Sequence, residues 1–149
     1  MNGTIMETRF GTMVVEPDRI IEFTHPLLGL EEYRRFAIVE APETRPFVWL
    51  QSIDAADVAL PLADPWSFFP NYRVEVPSSF LQELGPNQED EVAIYCVVSK
   101  GGRGLGMNLA APVLIHHQSR QGAQLVLDSK SYRPYHPLEA PSQSYAKGA

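Results

Sequence analysis

The stretch VAIYCVVSKGGRGLGMNLAAPVLI, residues 92–115, decides how this chain folds. Its first part, residues 92–98, is β-branched, aromatic and uncharged, and it is too short for a stable helix. A run of this kind between turn residues is typical of a strand that is buried on both faces. The stretch therefore predicts a strand at the centre of a sheet.

Four glycines between positions 101 and 106 follow this strand and free the backbone to turn. Pro112 has no N–H to donate to a sheet, so the next regular strand, residues 113–117, is expected to begin there. Asn108 lies between the two, where its amide can bond to neighbouring backbone groups, and we interpret it as structural. The whole stretch predicts a central β-hairpin with a long Gly-rich connection.

Short β-prone segments separated by turn residues recur along the chain. A single strand is expected before residue 16, and the others are residues 19–23, 36–39, 47–52, 58–62, 72–76 and 123–127, with a turn at Gln121 and Gly122. The best helix candidate is residues 77–84, with a capping box of Ser79 and Gln82 and a stop at Gly85. These patterns predict an all-β sandwich or barrel.

A single domain, residues 1–141, is the expected organisation, because 149 residues suffice for one core and show no repeat or linker. Residues 142–149 are small and polar, and we expect them to be disordered. Truncation after Pro141 should leave the cooperative thermal transition intact in scanning calorimetry. Loss of that transition would contradict the expectation.

The formal charge of −6 is unevenly distributed. Residues 1–99 hold 16 acidic and 6 basic side chains, whereas residues 100–149 hold 2 and 6. Such a surface repels nucleic acid over most of its area and suits a basic protein partner, although ordinary solubility charge is the alternative interpretation. Glu89, Asp90 and Glu91 form the densest acidic run, in a loop that we expect to be exposed and to bind a partner.

The sequence contains no constellation that predicts catalysis, a cofactor or a metal. The glycines of residues 101–106 lack the spacing of a phosphate-binding loop, and no helix pattern follows them. His116 and His117 are adjacent, so in a strand they point to opposite faces and cannot chelate one ion together. Cys96 lies in an apolar strand, where burial makes a thiol unreactive. We therefore expect a protein that is not an enzyme and has no cofactor or metal.

Cellular location is constrained by three further observations. Cys96 is the single cysteine, so no intrachain disulfide is possible. No apolar run approaches the roughly 20 residues that span a bilayer. The N-terminus lacks a basic region followed by an apolar core, so no secretory signal is visible. A cytoplasmic protein without membrane contact is expected.

Residues 64–72 carry four aromatic side chains: Trp66, Phe68, Phe69 and Tyr72. In one interpretation the nearby prolines present them as a rigid binding patch, with Phe69 and Tyr72 as partner-binding residues. In the other, the loop folds over one end of the domain and the rings join the core. Aromatic rings bury large areas, which favours the core.

Motifs spread over most of the chain carry a family resemblance. They are Phe23 with LLGLE at 27–31, Phe47 with LQS at 50–52, Asp64-Pro65 with PNY at 70–72, NLAAP at 108–112, and Gln124 with Leu127. Their order and spacing resemble the flagellar assembly factor FliW family, up to Tyr132. The sequence departs from the family pattern at Pro26, Leu28 and His116, which affects turn chemistry and removes no reactive group.

The resemblance implies a small, barrel-like, all-β domain, mainly antiparallel, with one or two short helices and no catalysis. FliW proteins bind flagellin before export, and in many bacteria they also bind the RNA-binding translational regulator CsrA, so that flagellin and CsrA compete for FliW. The resemblance thus implies flagellin and CsrA as partners, without direct nucleic-acid contact, and a monomer when free. It makes Gln51, Asp64, Pro65, Asn108 and Pro112 structural motif residues.

Two other classes of function stay open on the sequence alone. A β-barrel module could bind a small ligand or flavin, which the absorbance of the purified protein would expose. A small hydrolase would need a Ser or Cys side chain next to a His in the folded chain, because such sites are assembled in space.

Overall fold

Residues 4–85, 92–128 and 130–138 are described by a computed structural model in which strands dominate. The strands are β1 (Thr4–Thr8), β2 (Gly11–Val15), β3 (Ile20–His25), β4 (Arg35–Glu40), β5 (Val48–Ser52), β6 (Ala59–Ala63), β7 (Val92–Gly101), β8 (Gly104–Met107), β9 (Val113–His116), β10 (Gln121–Gln124) and β11 (His136–Pro137). Helix α1 spans Ser78–Leu84, and 3-10 helices span Pro17–Arg19, Pro42–Thr44 and Pro65–Ser67.

Seven strands close into a barrel. Around the ring the order is β7, β6, β5, β4, β3, β10 and β9, and β9 pairs with β7 to complete it. Neighbours in the ring are antiparallel, except that β10 runs parallel to β3. Closure removes sheet edges, so short strands find partners on both sides. The predicted all-β, mainly antiparallel, barrel-like fold is confirmed.

The central hairpin is present, but its predicted connection is wrong. One edge of β7 pairs first with β9, from Val92↔His116, and then with β8, up to Gly101↔Gly104. The turn is therefore two residues long, and the flanking glycines belong to the strands. Gly104 has φ +86°, a conformation that glycine adopts without strain and that makes this tight turn possible.

Side chains fill the barrel interior. Phe23 and Phe36 meet edge to face with ring centroids 5.5 Å apart. The buried cluster around them consists of Ile21, Leu27, Leu50, Leu62, Val113 and Ile115. Tyr95 and Val97 of β7 pack against this cluster from one face, and Cys96 and Val98 are buried on the other. Both faces of β7 are thus covered, as predicted, although only Cys96 and Val98 are fully buried.

The N-terminal segment forms a hairpin where a single strand was predicted. β1 and β2 pair from Thr4↔Val15 to Thr8↔Gly11 and form a two-stranded sheet separate from the barrel. Met6 and Val15 on its inner face pack against Ala37 of β4. The hairpin is therefore attached to the barrel wall through apolar contacts.

Helix α1 matches the predicted position, but its N-terminal cap does not. The cap residue is Pro77, with no side-chain hydrogen bond, so the predicted capping box of Ser79 and Gln82 is wrong. Gly85 ends the helix as predicted. Phe80 and Leu84 pack the helix against Leu114 of β9, so tertiary contacts replace the missing cap.

Two further predictions need correction, and one observed strand was not predicted. Residues 72–76 keep the predicted alternation of burial but pair with no strand of the described part of the chain. Gln121 and Gly122 belong to β10, and the turn lies at residues 117–120, where Arg120 has φ +57°. β11, which pairs with β8, was not predicted, because two residues give no periodicity.

Candidate protein-binding surface

Asp64 and Pro65 fix the corner that follows β6. The Asp64 carboxylate accepts hydrogen bonds from the Trp66 N–H at 3.0 Å and from Ser67 Oγ at 3.3 Å. Pro65 is buried in the first helical position, where the missing N–H costs nothing. These two motif residues therefore hold the start of the aromatic loop in one conformation.

Tyr72 ends that loop inside the protein. Its hydroxyl donates to the Leu109 carbonyl at 2.7 Å, and its ring packs against Tyr132 with centroids 4.8 Å apart. Burial raises the pKa of Tyr72 well above its ordinary value. The Trp66 indole N–H donates to the Tyr72 carbonyl at 2.8 Å and closes the loop on itself.

The core interpretation of the aromatic loop fits its described contacts. Tyr72 is buried, while Phe68 and Phe69 are half-buried. Phe68 stacks on Phe47 at 6.2 Å, and Phe69 lies edge to face with His136 at 5.9 Å. Trp66 is 38% exposed. Tyr72 is therefore almost wholly covered in this conformation, and Phe69 is partly exposed.

Asn108 holds the interruption between β8 and β9. Its Oδ1 accepts hydrogen bonds from the N–H groups of Ala110 and Ala111, at 3.0 and 3.2 Å. Its own N–H donates to the Val97 carbonyl at 2.9 Å, which keeps the segment on β7. Pro112 is buried directly before β9, so the strand begins where the sequence predicted.

Replacing Asn108 by alanine should lower the free energy of unfolding by on the order of 1–3 kcal/mol, because two backbone donors lose their acceptor. Urea denaturation measures the change. Asn108→Asp is the matched control, since it keeps an oxygen in the Oδ1 position and should stay closer to wild type. A wild-type stability for Asn108→Ala would contradict the structural role.

Gln51 joins the N-terminal hairpin to the turn after β5. It is fully buried. Its Nε2 lies 3.0–3.3 Å from the carbonyl oxygens of Ser52, Ala55, Ala56 and Val58. Its Oε1 accepts from the Arg9 N–H at 3.3 Å. One side chain thus organises two loops that are distant in sequence.

A comparison with known protein families supports the resemblance that the motif residues indicated. The model of the family described as FliW protein matches residues 4–138. The chain belongs to the FliW family. A flagellar assembly factor FliW from Syntrophotalea carbinolica is 34% identical over 141 residues, which cover 94% of this chain and all of the relative. One from Thermotoga neapolitana is 32% identical over 137 residues, covering 90% and 92%.

A solved structure places the same family on the same fold. The crystal structure of the flagellar assembly factor FliW superposes with a TM-score of 0.84 at 27% identity, and it covers 93% of this chain and 99% of that one. The FliW motif residues Gln51, Asp64 and Asn108 all make backbone hydrogen bonds here. Their described contacts are those that a shared fold needs.

The acidic residues that the sequence singled out are only partly described. Glu89, Asp90 and Glu91 lie outside the described residues, as does the tail of residues 142–149. Glu83 pairs with His25, whose ring stacks on Phe80 at 5.0 Å. Glu75 is exposed on the segment that follows Tyr72.

Exposed aliphatic side chains mark two surfaces that the sequence did not reveal. Ile5 and Val14 lie opposite each other on the outer face of the β1–β2 hairpin and are 71% and 64% exposed. Val126, just after β10, is 62% exposed beside a groove. All three belong to β-prone segments, in which the pattern alone does not decide which residue stays outside.

A serine and a histidine of the kind a hydrolase needs do meet. Ser119 Oγ lies 2.8 Å from His116 Nδ1. The same oxygen lies 2.6 Å from the Leu84 carbonyl oxygen, and the Ser119 backbone nitrogen lies 3.1 Å from His116 Nδ1. The contacts close the turn after β9 and attach it to the end of α1, so they have a structural use.

Other reactive groups are also committed to the fold. Burial raises the pKa of the Cys96 thiol to about 12. Burial, with Arg133 nearby, lowers the pKa of His136. Among the described residues, no group of three His, Cys, Asp or Glu side chains is placed to hold a metal ion. Within the same ranges, no helix is long and apolar enough to cross a membrane.

Proposed function

We propose that this chain is a non-catalytic flagellar assembly factor that binds flagellin in the cytoplasm and antagonises CsrA. While flagellin is retained in the cell, it stays bound to this chain. When flagellin is exported, the freed chain binds CsrA and relieves repression of flagellin translation. Synthesis of flagellin would thereby follow its export.

Membership of the FliW family over residues 4–138 carries this proposal. The relatives named above are flagellar assembly factors, which gives the class of process. Flagellin and CsrA are the partners that the motif resemblance implies.

The described surface supports protein binding. Ile5, Val14 and Val126 are aliphatic side chains that are more than half exposed. Contiguous exposed apolar surface beyond scattered single residues marks interaction sites in soluble proteins. Ile5 and Val14 form a cross-strand pair rather than isolated positions. Side chains such as Phe23 and Phe36 fill the barrel interior. This packing favours the outer surface of the barrel as the place where a partner binds.

The direct test uses the purified chain with flagellin and CsrA from the same bacterium. Isothermal titration calorimetry should give one saturable interaction with each, and flagellin already bound should reduce the apparent affinity for CsrA. Ovalbumin is a suitable acidic, non-flagellar control and should not bind. Absence of binding to both proteins would overturn the proposal. Simultaneous binding without mutual effect would overturn the competition.

A further inference from the structure

A groove of about 470 Å³ separates two extended segments next to α1. Residues 73–77 form one wall and residues 125–128 form the other, with Ser131 and Tyr132 at one end. Neither segment is part of a β-ladder. Both follow motif residues of the family, Tyr72 and Gln124, so the fold sets their positions.

The wall at residues 125–128 uses one of its two backbone edges. The Leu125 N–H donates to the Pro112 carbonyl at 2.9 Å, and the Leu127 N–H donates to the Ala110 carbonyl at 2.8 Å. Successive peptide groups of an extended chain point to opposite sides, so the N–H and carbonyl of Val126 point away from that pairing. They make no hydrogen bond to another described residue.

The facing wall has a similar edge. The Arg73 N–H donates to Tyr132 Oη at 2.9 Å and anchors the segment. Val74 and Val76 are half-buried and pack inward, while Glu75 is exposed. The backbone groups of Val74, Glu75 and Val76 make no hydrogen bond within the described ranges. The groove is thus flanked by two extended backbones that have donors and acceptors to offer.

An extended polypeptide is the ligand best suited to form hydrogen bonds with the backbone groups along such a groove. Its own N–H and carbonyl groups are available along its length, whereas a helix uses its groups internally. The aliphatic side chains of the lining, Leu125, Val126 and Leu127, supply apolar contacts beside this edge. The ionic side chains of the lining are Arg73, Glu75 and Asp128, so their charges nearly cancel.

We propose that an extended segment of flagellin adds as a β-strand along residues 125–128, in the groove that residues 73–77 complete. This inference rests on the proposed function and assigns a surface to one partner. Nearly balanced charge and aliphatic contacts suit a partner that is recognised through its backbone. CsrA, which binds RNA and is expected to be basic, would instead favour a more acidic surface.

Val126→Pro tests the strand addition with little disturbance of the fold. Proline removes the outward N–H and fits an extended backbone, and the N–H that it removes has no partner among the described residues. Val126→Ala is the matched control, because it shortens the exposed side chain and keeps the donor. Leu127→Pro removes the inward donor to Ala110 and should lower the melting temperature, whereas Val126→Pro should not.

Binding of full-length flagellin from the same bacterium is then measured by calorimetry. We expect Val126→Pro to weaken binding about tenfold, because one backbone hydrogen bond to the added strand is lost. Val126→Ala should stay within about threefold of wild type. In the wild-type chain, hydrogen exchange at the Val126 amide should slow when flagellin is bound.

The outcomes separate this inference from the proposed function. If flagellin binds wild type and Val126→Pro equally, or if exchange at Val126 is unchanged, the groove is not the site and the proposed function stands. If flagellin does not bind the wild-type chain, both fall. Protection of Val126 together with selective loss in the proline variant supports the strand addition.

Discussion

Replacing Gln51 by leucine is expected to lower the free energy of unfolding by about 3 kcal/mol, with little change in side-chain volume. The amide is fully buried, and its Nε2 is shared among four carbonyl oxygens. Leucine cannot donate to any of them, although the Val58 and Ala55 carbonyls keep one backbone donor each, from the N–H groups of Ser52 and Val58. The loss of the amide's hydrogen bonds at a buried position accounts for the decrease.

The same variant should loosen the N-terminal hairpin. Gln51 Oε1 accepts from the Arg9 N–H at the tip of the hairpin, between β1 and β2. Amide hydrogens of β1 and β2 should therefore exchange faster in Gln51→Leu, while those of β7 change less. This pattern distinguishes a lost local anchor from a uniform loss of stability.

Urea denaturation of the wild type and of Gln51→Leu measures the change in the free energy of unfolding. Gln118→Leu is the matched control, because Gln118 is exposed in the turn after β9 and makes none of these contacts. The control should lie within about 0.5 kcal/mol of wild type. Equal stability of Gln51→Leu and wild type would show that the hydrogen bonds of this amide are not needed.

Much of the barrel could be predicted because its strands are short, apolar and separated by turn residues. The pairing of β7 with β9 followed from two apolar runs on either side of a glycine-rich segment. The length of the turn did not, because glycines fit a strand end as well as a loop. Only the register Gly101↔Gly104 reveals a two-residue connection.

Pairings between distant segments lay beyond the sequence pattern. The parallel contact of β10 with β3 joins residues about a hundred positions apart. β11 consists of two residues, one of them proline, and exists because β8 has an edge to offer. Neither has a local signal, since periodicity describes which face of a strand is buried and not which strand lies beside it.

The motif residues were easier to predict than the surface. Asp64 precedes a proline at the first position of a 3-10 helix, a local arrangement that the sequence displays. The outward N–H of Val126 depends on which neighbour already bonds to Leu125 and Leu127. That information exists only in the folded barrel, so a backbone edge of this kind is invisible to motif analysis.

A triple charge reversal, Glu89→Lys with Asp90→Lys and Glu91→Lys, should slow association with CsrA about tenfold at low salt. Residues 75–99 hold five carboxylates and no Lys or Arg. A cluster of negative charges raises the local concentration of a basic partner and speeds the encounter of the two proteins. CsrA binds RNA, so we expect it to present positive charge. Flagellin association should change little, because we assign that contact to apolar surface.

A second triple variant separates a local effect from net charge. Glu16→Lys with Asp18→Lys and Glu22→Lys changes the formal charge by the same amount, and all three positions are exposed around the start of β3. Stopped-flow association rates are measured for both variants at low and high salt. Screening over about 10 Å at 0.1 M salt should remove most of the difference from wild type.

The comparison decides whether the acidic run has a specific role. If the run steers CsrA, reversal at residues 89–91 slows association more than reversal at residues 16–22 and flattens the salt dependence. If both variants slow it equally, the overall negative charge is responsible. If the first variant associates at the wild-type rate in both salts, these carboxylates serve solubility, and CsrA binds without their help.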